Sequence, residues 1–345
     1  MVQAMISLRS FAKLANVSPP TVSRAFSEES SEISPETKAR ILELAESCGF
    51  SPANARPARL GGSTRSIGIT LYHFSTSTFV DIFRGAQKEA AENGYLLIAA
   101  DSECFGERSA VNRLVEHSVD ALILMIVEEK LKRKDFQRLL NFKGPITLIE
   151  TKRMGFDADF VSYDDFRGGQ LAAEHLLSLG HRRIGFGYYG EGQSTCDVRF
   201  DGFKAELQKA GLEFDPSLMA TLPPRGPDVW GKVRENIKSI FSLPAGKRPT
   251  AFFAATDHIA VEAYRTAESL GMKIPEDISI VGFADLNYAS LLTPALTTIR
   301  QNGFEMGRQA TKFVLERLKT PNLQYKTAIV PVELVVRKST SKPKQ

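Results

Sequence analysis

The stretch NVSPPTVSRAF, residues 16–26, decides the fold of the first part of the chain. Apolar side chains just before it recur with the spacing of one helix face, at Leu8, Phe11, Ala12 and Ala15. Ser18 is a favourable N-cap and Pro19 a favourable first residue, so a second helix is predicted to begin there. Its buried side carries Val22, Ala25 and Phe26. Two short helices joined by a tight turn form a helix-turn-helix, whose second helix enters the major groove of DNA.

A third helix is predicted over residues 34–49, beginning at Ser34 and Pro35. Its apolar side carries Ile41, Leu44, Ala45 and Cys48. Residues 1–27 contain three basic side chains and no acidic one, a charge distribution that favours contact with DNA phosphates. A helical hairpin without a nucleic-acid partner is the alternative interpretation of the same pattern.

Composition places the chain among soluble globular proteins. It has 345 residues, of which 43% are hydrophobic and 24% charged, and a formal net charge of +4. This length predicts two or three domains. No apolar run approaches the roughly 18 residues of a membrane-spanning helix. The first residues, MVQAMISLRS, lack the features of a secretory signal, so we expect a cytoplasmic protein that does not enter a membrane.

Cysteine and histidine usage gives no sign of a metal or a cofactor. The three cysteines are far apart in the sequence and form no CxxC pair, which argues against a disulfide framework and a zinc site. The five histidines show no HExxH or similar ligand spacing. We therefore expect neither a metal nor another cofactor.

Residues 52–66 are predicted to form a linker. The segment is rich in Ala, Arg, Pro, Gly and Ser and poor in large apolar residues. Asn54 can cap one or two helical turns that run through Leu60 and end at the following glycines. Arg56, Arg59 and Arg65 make the region basic. A helix this short is unstable alone in water and should become ordered only against a partner such as DNA.

From residue 67 onward, short apolar runs alternate with amphipathic helices. The runs resemble buried parallel strands and are found at 67–72, 95–100, 120–127, 146–150, 182–189, 218–222, 250–255 and 278–283. The amphipathic segments are found near 79–92, 108–117, 166–179, 199–210, 229–241 and 257–270. The pattern predicts two doubly wound α/β lobes of similar size. Such sheets bind small ligands at the carboxyl ends of their strands.

The sharpest competing motif is GFGYYG at residues 185–190, which fits the GxGxxG pattern of dinucleotide-binding enzymes. In those enzymes a helix begins at the glycines, but here a loop-like EGQSTCD sequence follows. Glu206 has the spacing of the expected acidic residue, yet it falls inside a predicted helix. We therefore expect no enzymatic activity. A ligand-binding or transport module that does not bind DNA is the other alternative.

Several longer stretches resemble the lactose-repressor and galactose-repressor family of bacterial transcriptional regulators. The matching stretches are AKLANVSPPTVSRAF (12–26), ISPETKARILELAESCGFSP (33–52), HLLSLGHRRIGF (175–186), PEDISIVGF (275–283) and LTPALTTIRQ (292–301). The likeness extends from Leu8 to Arg337. It implies a helix-turn-helix head, a hinge and a two-lobed core similar to periplasmic sugar-binding proteins. A sequence-specific regulator, typically a repressor, is therefore expected.

For DNA binding, the resemblance implies that Pro19, Pro20, Thr21 and Arg24 read bases in near-palindromic, double-stranded operator DNA. Arg24 can bridge O6 and N7 of guanine, whereas the prolines offer only apolar contact. Helix initiation alone is the alternative role of the two prolines. In the hinge, Asn54 and Arg56 would contact DNA and Leu60 would insert into the minor groove.

For effector binding, the resemblance implies residues on both lobes: Phe79, Glu150, Arg199, Thr256, Asp257 and Asp285. Arg199 precedes Gly202 by three residues, as in the family, and a guanidinium can bind sugar hydroxyls or a carboxylate. An ion pair between Arg199 and a nearby carboxylate such as Asp197 is the alternative. Phe79 can equally be a core residue and Glu150 a surface carboxylate.

The sequence departs from the family at three places near the expected effector. Thr256 and Asp257 replace a common Asn-Asp pair, and Ala284 and Asp285 replace an Asp-Asp pair. An aromatic residue expected near residue 226 is absent, unless Trp230 takes its place. These differences leave the identity of the expected carbohydrate-like effector open.

The predicted organisation has four parts: a DNA-binding domain (1–51), a hinge (52–66), a two-lobed effector-binding and dimerisation core (67–337) and a polar tail (338–345). The resemblance implies a homodimer. A leucine heptad at the end of the chain would indicate a tetramer, but the tail is short and polar. Ligand in the cleft is expected to change operator affinity, with a coupling of about 1–3 kcal/mol.

Overall fold

The computed structural model describes most of the chain, in segments with gaps between them. The described residues are 8–26, 33–48, 50, 63–72, 74–127, 131, 135–150, 158–189, 194–222 and 229–344. The chain folds into two compact units, Met1–Thr64 and Arg65–Gln345.

The first unit has three described helices around a small core. They are α1 (Leu8–Leu14), α2 (Pro19–Ala25) and α3 (Pro35–Cys48). The core members, contributed by all three helices and the segment after them, are Phe11, Ala12, Ala15, Val22, Ala25, Ile41, Ala45 and Phe50. The rings of Phe11 and Phe50 are stacked, with centroids 3.7 Å apart. The predicted helices and most of their predicted buried residues are confirmed, while Phe26, Leu44 and Cys48 are only half-buried.

The second unit alternates strands and helices along its whole length. Its first part contains β1 (Ser66–Leu71), α4 (Ser77–Glu92), β2 (Leu96–Asp101), α5 (Ser102–Phe105), α6 (Glu107–Glu116), β3 (Ala121–Leu124), α7 (Gln137–Leu140), β4 (Ile146–Ile149) and β5 (Asp159–Tyr163). Its middle part contains α8 (Asp165–Ser178), β6 (Ile184–Tyr189), α9 (Ser194–Lys209), β7 (Met219–Leu222), α10 (Val229–Phe241), β8 (Ala251–Ala254), α11 (Asp257–Ser269), β9 (Ser279–Ala284) and β10 (Thr297–Gln301). Its last part contains α12 (Gly303–Lys319), β11 (Thr327–Val330) and β12 (Val332–Val335).

These elements form two lobes, each built on a six-stranded sheet. Lobe 1 has the strand order β11-β5-β4-β3-β1-β2, with all strands parallel. Lobe 2 has the order β12-β10-β9-β8-β6-β7, in which only β12 is antiparallel to its neighbour. The predicted pair of doubly wound lobes is therefore confirmed.

The chain passes between the lobes three times. It leaves lobe 1 between β5 and α8, returns between β10 and α12, and leaves again between β11 and β12. Two of these crossings lie side by side, because the backbone N–H of Asp164 donates to the carbonyl of Val330 at 3.0 Å. Each lobe is thus assembled from segments that are far apart in the sequence.

The glycines of GFGYYG provide room for packing. Gly185 and Gly187 lie inside β6, and a side chain on either would contact the ring of Phe252 more closely than side chains normally approach. Gly190 lies outside the described residues. The next described helix, α9, begins at Ser194, so the two glycines within the strand do not form a helix N-terminus for a pyrophosphate.

The segment predicted as a polar tail packs against lobe 2. Ser339 is fully buried and its hydroxyl donates to the carbonyl of Ile280 at 2.6 Å. The buried imidazole of His181 contacts the carbonyl of Ser341 through Nε2 at 2.9 Å. Burial lowers the pKa of His181, so the ring is neutral at physiological pH. Residues 338–341 therefore belong to the lobe.

Candidate functional site

The predicted recognition helix α2 has one buried and one exposed side. Asn16 adopts a left-handed conformation, with φ 54°, in the turn that separates α1 from α2. The hydroxyl of Ser18 accepts the backbone N–H of Thr21 at 3.3 Å, which is the predicted N-cap. Val22 and Ala25 face the core, whereas Pro20 and Arg24 are exposed.

The predicted base-reading residues are therefore on one helix, and part of that set faces solvent. Pro19 and Thr21 are half-buried. Because Pro20 and Arg24 are exposed, α2 offers a surface that a DNA groove can accept. The predicted hinge residues Asn54, Arg56 and Leu60 lie outside the described residues, and their roles stay predictions.

A second set of predicted residues meets where the lobes join. Glu150 follows β4 of lobe 1 and has a left-handed backbone, with φ 67°. Arg199 lies in α9 of lobe 2. The two groups interact electrostatically, and Asp165, the first residue of α8, acts on both of them. A strained backbone beside buried charges is typical of functional sites.

The guanidinium of Arg199 is buried and held from three sides. Its Nε donates to Oδ1 of Asp165 at 2.8 Å, and its Nη1 donates to the carbonyl of Ala255 at 2.8 Å. Its flat face lies over the ring of Phe283, 3.7 Å from the centroid. The alternative pairing with Asp197 does not occur, since Asp197 instead accepts the hydroxyl of Tyr188. Within the described part of the chain, Nη2 of Arg199 donates to no other residue.

The close approach of α8 and α9 brings Arg199 to Asp165. A Cβ added to Gly202 would overlap the carbonyl of Phe166, and one added to Gly169 would overlap the carbonyl of Arg199. The two glycines therefore let the helix backbones touch. This contact gives a physical reason for the arginine-to-glycine spacing in the sequence.

Burial dominates the electrostatics of Glu150. Desolvation and the neighbouring Asp165 raise the pKa of Glu150 to about 8, and the opposing effect of Arg199 is smaller. Burial is the largest effect on Arg199 and opposes its charge, but Asp165, Cys196 and Glu150 together raise the pKa of the guanidinium above its ordinary value. At neutral pH the free protein thus holds a protonated Glu150 beside a matched ion pair.

Tyr163 and Asp165 were not identified from the sequence. Tyr163 ends β5, and burial followed by the charges of Glu150 and Asp165 raises its pKa well above the ordinary value. The signal that could have identified them is the sequence YDD after the apolar pair Phe160–Val161, because polar residues at strand ends often line sites.

In lobe 2, Asp257 supports the lobe itself. It is fully buried, its Oδ1 accepts the hydroxyl of Thr298 at 2.6 Å, and its Oδ2 accepts the N–H of Leu286 at 2.8 Å. Burial raises its pKa to about 6 although both hydrogen bonds oppose the shift. This placement differs from the effector contact expected from the sequence, because both carboxylate oxygens already have partners inside the lobe.

Asp285 is likewise occupied by protein partners. Its Oδ2 accepts Nε of Arg300 at 2.7 Å, and its Oδ1 pairs with Nη2 of Arg337 at 2.7 Å. Only 8% of its side chain is exposed. Asp285 therefore joins β9 to the segments beside it, which again differs from the expected effector contact.

The remaining predicted effector residues lie near the same edges of the sheets. Thr256 caps α11, where its hydroxyl accepts the N–H of Ile259 at 3.4 Å, and it is half-buried. Phe79, in the first turn of α4, packs against the core of lobe 1 and is also half-buried. Both remain candidates for contact with a ligand.

Trp230 lies in an aromatic group at the edge of lobe 2. Its ring stacks on His258 with centroids 5.8 Å apart, and His258 meets the ring of Tyr288 edge-on at 5.9 Å. Trp230 is 39% exposed. Trp230 is therefore an aromatic residue with an exposed portion, as the sequence requires if it replaces the aromatic residue expected near residue 226.

The lobes also touch across this junction. The backbone N–H of Asn287, in lobe 2, donates to the hydroxyl of Ser77, at the start of α4 in lobe 1, at 3.4 Å. In the described residues, no group of three or more His, Cys, Asp or Glu is placed to hold a metal ion. None of the helices described is both long enough and apolar enough to cross a membrane.

Family models match both units of the chain. Residues 7–53 match the model described as bacterial regulatory proteins, lacI family, and residues 173–340 match a periplasmic binding protein-like domain. The first match contains the exposed helix α2 and the second contains Arg199. The chain belongs to the lacI family of bacterial regulatory proteins. The helix-turn-helix of this lacI-family protein is therefore a DNA-binding element, and the chain is a transcriptional regulator and not an enzyme.

Relatives of this lacI-family protein match it over nearly the whole length. The ribose operon repressor of Haemophilus influenzae is 29% identical over 337 residues, which cover 97% of this chain and 98% of that protein. The transcriptional repressor PurR of Mannheimia succiniciproducens is 26% identical over 343 residues, which cover 98% of this chain and 99% of that protein.

Solved structures of similar proteins share the fold. A LacI-family transcriptional regulator from Enterococcus faecium with bound ribose is 27% identical, covers 81% of this chain and 100% of that chain, and has a TM-score of 0.68. A LacI-family regulator from Mycobacterium smegmatis is 29% identical, with coverages of 81% and 100% and a TM-score of 0.69. The predicted family and architecture are confirmed.

Proposed function

We propose that this regulator is a cytoplasmic homodimeric repressor whose affinity for a near-palindromic operator is controlled by a sugar or sugar derivative bound between the lobes. The observation that carries the proposal is the group formed by the half-buried Glu150 and the buried pair of Arg199 and Asp165, which joins residues of both lobes where their strands end. The similarity of the chain to a ribose operon repressor and to a ribose-bound regulator supports a sugar as the effector.

The three crossings between the lobes are the proposed moving parts. A ligand that contacts both lobes favours one angle between them over another, and contacts such as Asn287 to Ser77 form or break with that angle. The change alters the spacing of the two heads in the dimer. Ligand binding and operator binding are then coupled reciprocally, by about 1–3 kcal/mol.

The DNA side of the proposal is tested with an operator selected from a random duplex library by the full-length protein. Arg24 is exposed and can read guanine, so Arg24→Ala should weaken operator binding by about 1–3 kcal/mol and spare random DNA. Lys13, exposed at the end of α1, is the contrasting position. Lys13→Ala should weaken both DNAs alike, since a phosphate contact carries no sequence information. Equal loss on both DNAs for Arg24→Ala would contradict base reading.

The effector side is tested by titrating candidate sugars into the full-length protein on its operator. An effector should change operator affinity by about fivefold to 150-fold. Arg199→Lys retains the charge opposite Asp165 but removes Nη2, so the variant should bind the operator normally and lose most of the response. Arg300→Lys, on the exposed side of lobe 2, is the matched control and should respond normally. A full response by Arg199→Lys would remove Arg199 from the site.

A further inference from the structure

The hydroxyl of Tyr163 is buried without a hydrogen-bond partner among the described residues. Tyr163 is 3% exposed, and its ring packs in the core of lobe 1. The hydroxyls of Tyr264 and Tyr188 have partners, the carbonyl of Pro294 and the carboxylate of Asp197, whereas that of Tyr288 also has none among the described residues. Leaving a buried hydroxyl unpaired is unfavourable, so an unpaired one in a native protein calls for a partner.

The titratable groups that act on this hydroxyl are mostly acids. They are the carboxyl groups of Glu150, Asp165 and Asp81 and a single guanidinium, that of Arg199. These groups come from four elements: the end of β4, the start of α8, α4 and α9. Asp81 is itself paired with Arg84 at 3.3 Å, in an exposed ion pair. Among the groups that act on Tyr163, three are carboxyl groups and one is a guanidinium.

The single cation is already neutralised. Arg199 is paired with Asp165 at 2.8 Å, donates to the carbonyl of Ala255 and lies over the ring of Phe283. A carboxylate or phosphate placed there would meet no unmatched positive charge, because Asp165 already neutralises Arg199. Burying an anion that has no unmatched cation to pair with is unfavourable.

We propose that Tyr163 is a ligand-binding residue and that the effector it contacts is an uncharged, hydroxyl-bearing molecule, with phosphorylated and carboxylated sugars excluded. The inference rests on the proposed function, because it assigns the chemical class of the effector at the same site. The Tyr163 hydroxyl and Nη2 of Arg199 donate to ligand oxygens, and the carboxyl group of Glu150 accepts ligand hydroxyls. The Tyr163 hydroxyl and Nη2 of Arg199 then gain partners that the described residues do not provide.

Matched pairs of ligands test the excluded class. The full-length protein is titrated by calorimetry with ribose and ribose phosphate, glucose and glucuronate, and galactose and galacturonate. The neutral member of the bound pair should bind at least about a hundredfold more tightly than its anionic counterpart. An anionic member that binds as tightly as its neutral partner would overturn the inference and leave the proposed sugar response standing.

Paired tyrosine variants test the contact residue. Tyr163→Phe should weaken binding of the neutral ligand by about threefold to tenfold, the effect of one hydrogen bond. The same variant should melt at the same or a higher temperature than the natural protein, because it removes an unpaired buried hydroxyl. Tyr264→Phe, the control, should retain ligand affinity and melt at a lower temperature. A Tyr163→Phe protein with unchanged ligand affinity would overturn the role of Tyr163.

Failure of the proposed function has a different outcome. If no sugar of either class changes the melting temperature or the operator affinity of the full-length protein, the proposed function is overturned, and the inference with it. If sugars bind but the neutral and anionic members do not differ, only the inference fails.

Discussion

Two buried arginines form ion pairs with aspartates at opposite ends of the same strand, and their surroundings differ. Arg317 in α12 pairs with Asp159, at the start of β5, through two bonds of 2.8 Å. Its remaining N–H groups donate to the carbonyls of Pro321, Leu323 and Gln324. The guanidinium also lies over the ring of Tyr325, 4.5 Å from the centroid. Every nitrogen of Arg317 therefore has a partner within lobe 1.

Arg199 has fewer protein partners than Arg317. It pairs with Asp165, just after β5, through one bond, and its Nη2 donates to no other described residue. A second acid, Glu150, and an unpaired tyrosine hydroxyl lie in the same group. Burial and pairing alone therefore do not identify a site. Hydrogen-bonding capacity left unused by the protein distinguishes Arg199, the proposed ligand-binding arginine, from Arg317, the structural one.

The largest expected effect concerns the ion pair of Arg317 and Asp159, in which every nitrogen of the arginine has a partner. Arg317→Met leaves Asp159 buried without its cation, so the free energy of unfolding of the core should fall by about 3–5 kcal/mol. Urea unfolding of the full-length protein, followed by the fluorescence of Trp230, measures the change. Arg300→Met, at an arginine that is 47% exposed, should lower it by at most about 1 kcal/mol. Equal losses in the two variants would contradict the structural role of Arg317.

A smaller effect on stability is expected at Glu150, beside the ion pair of Arg199 and Asp165, and this effect depends on pH. The pKa of Glu150 is about 8 in the folded protein and 4.5 in the ordinary carboxyl group, so the folded state holds a proton that the unfolded chain releases. Between about pH 5 and pH 8 this group lowers stability as pH rises, by at most about 1.4 kcal/mol per pH unit. Glu150→Gln removes the titration.

The Glu150→Gln protein should therefore match the natural protein at about pH 5 and exceed its stability by about 1–2 kcal/mol near pH 8. Thermal melts across this range measure the difference. Glu316→Gln is the control, because Glu316 is 47% exposed and pairs with Lys326 at the surface. Parallel pH profiles for Glu150→Gln and the natural protein would show that the carboxyl group ionises normally.

The smallest expected effect concerns ligand choice. Asp165→Asn removes the charge that neutralises Arg199, so the unmatched guanidinium can then bind an anion. The affinity ratio of anionic to neutral sugar should rise by about tenfold, as calorimetric titration of both members of a pair will show. Asp159→Asn is the counterpart at Arg317 and should leave the ratio unchanged. An unchanged ratio in Asp165→Asn would mean that Asp165 does not set ligand charge.

Local pattern predicted the helices and strands that have strong periodicity. Helix α10 was predicted over the same residues, 229–241, and most predicted strands differ by one or two residues at their ends. Strands β5, β10, β11 and β12 and helix α12 were not predicted. In β10, Thr297 and Thr298 look polar in the sequence, but Ser339 and Asp257 satisfy them from distant positions. Such tertiary partners leave no local signal.

The candidate site was predictable in part for the same reason. Glu150 and Arg199 were predicted by resemblance, and the structure places them in one electrostatic group. Whether Asp257 and Asp285 face a ligand depends on partners such as Thr298 and Arg337, which the sequence does not reveal. Tyr163 and Asp165 were missed because their significance depends on the approach of α9, 34 residues away from Asp165.

The three crossings have a consequence for synthesis on the ribosome. Lobe 1 receives helix α12 and edge strand β11 only after the five strands β6–β10 of lobe 2 have emerged, and lobe 2 then receives β12 and the buried Ser339. Neither sheet is complete until translation is almost finished. Termination before β11 therefore yields a nascent chain with two unfinished cores, and termination between residues 331 and 338 leaves lobe 2 unfinished, so that only translation products that extend through residue 339 complete both lobes.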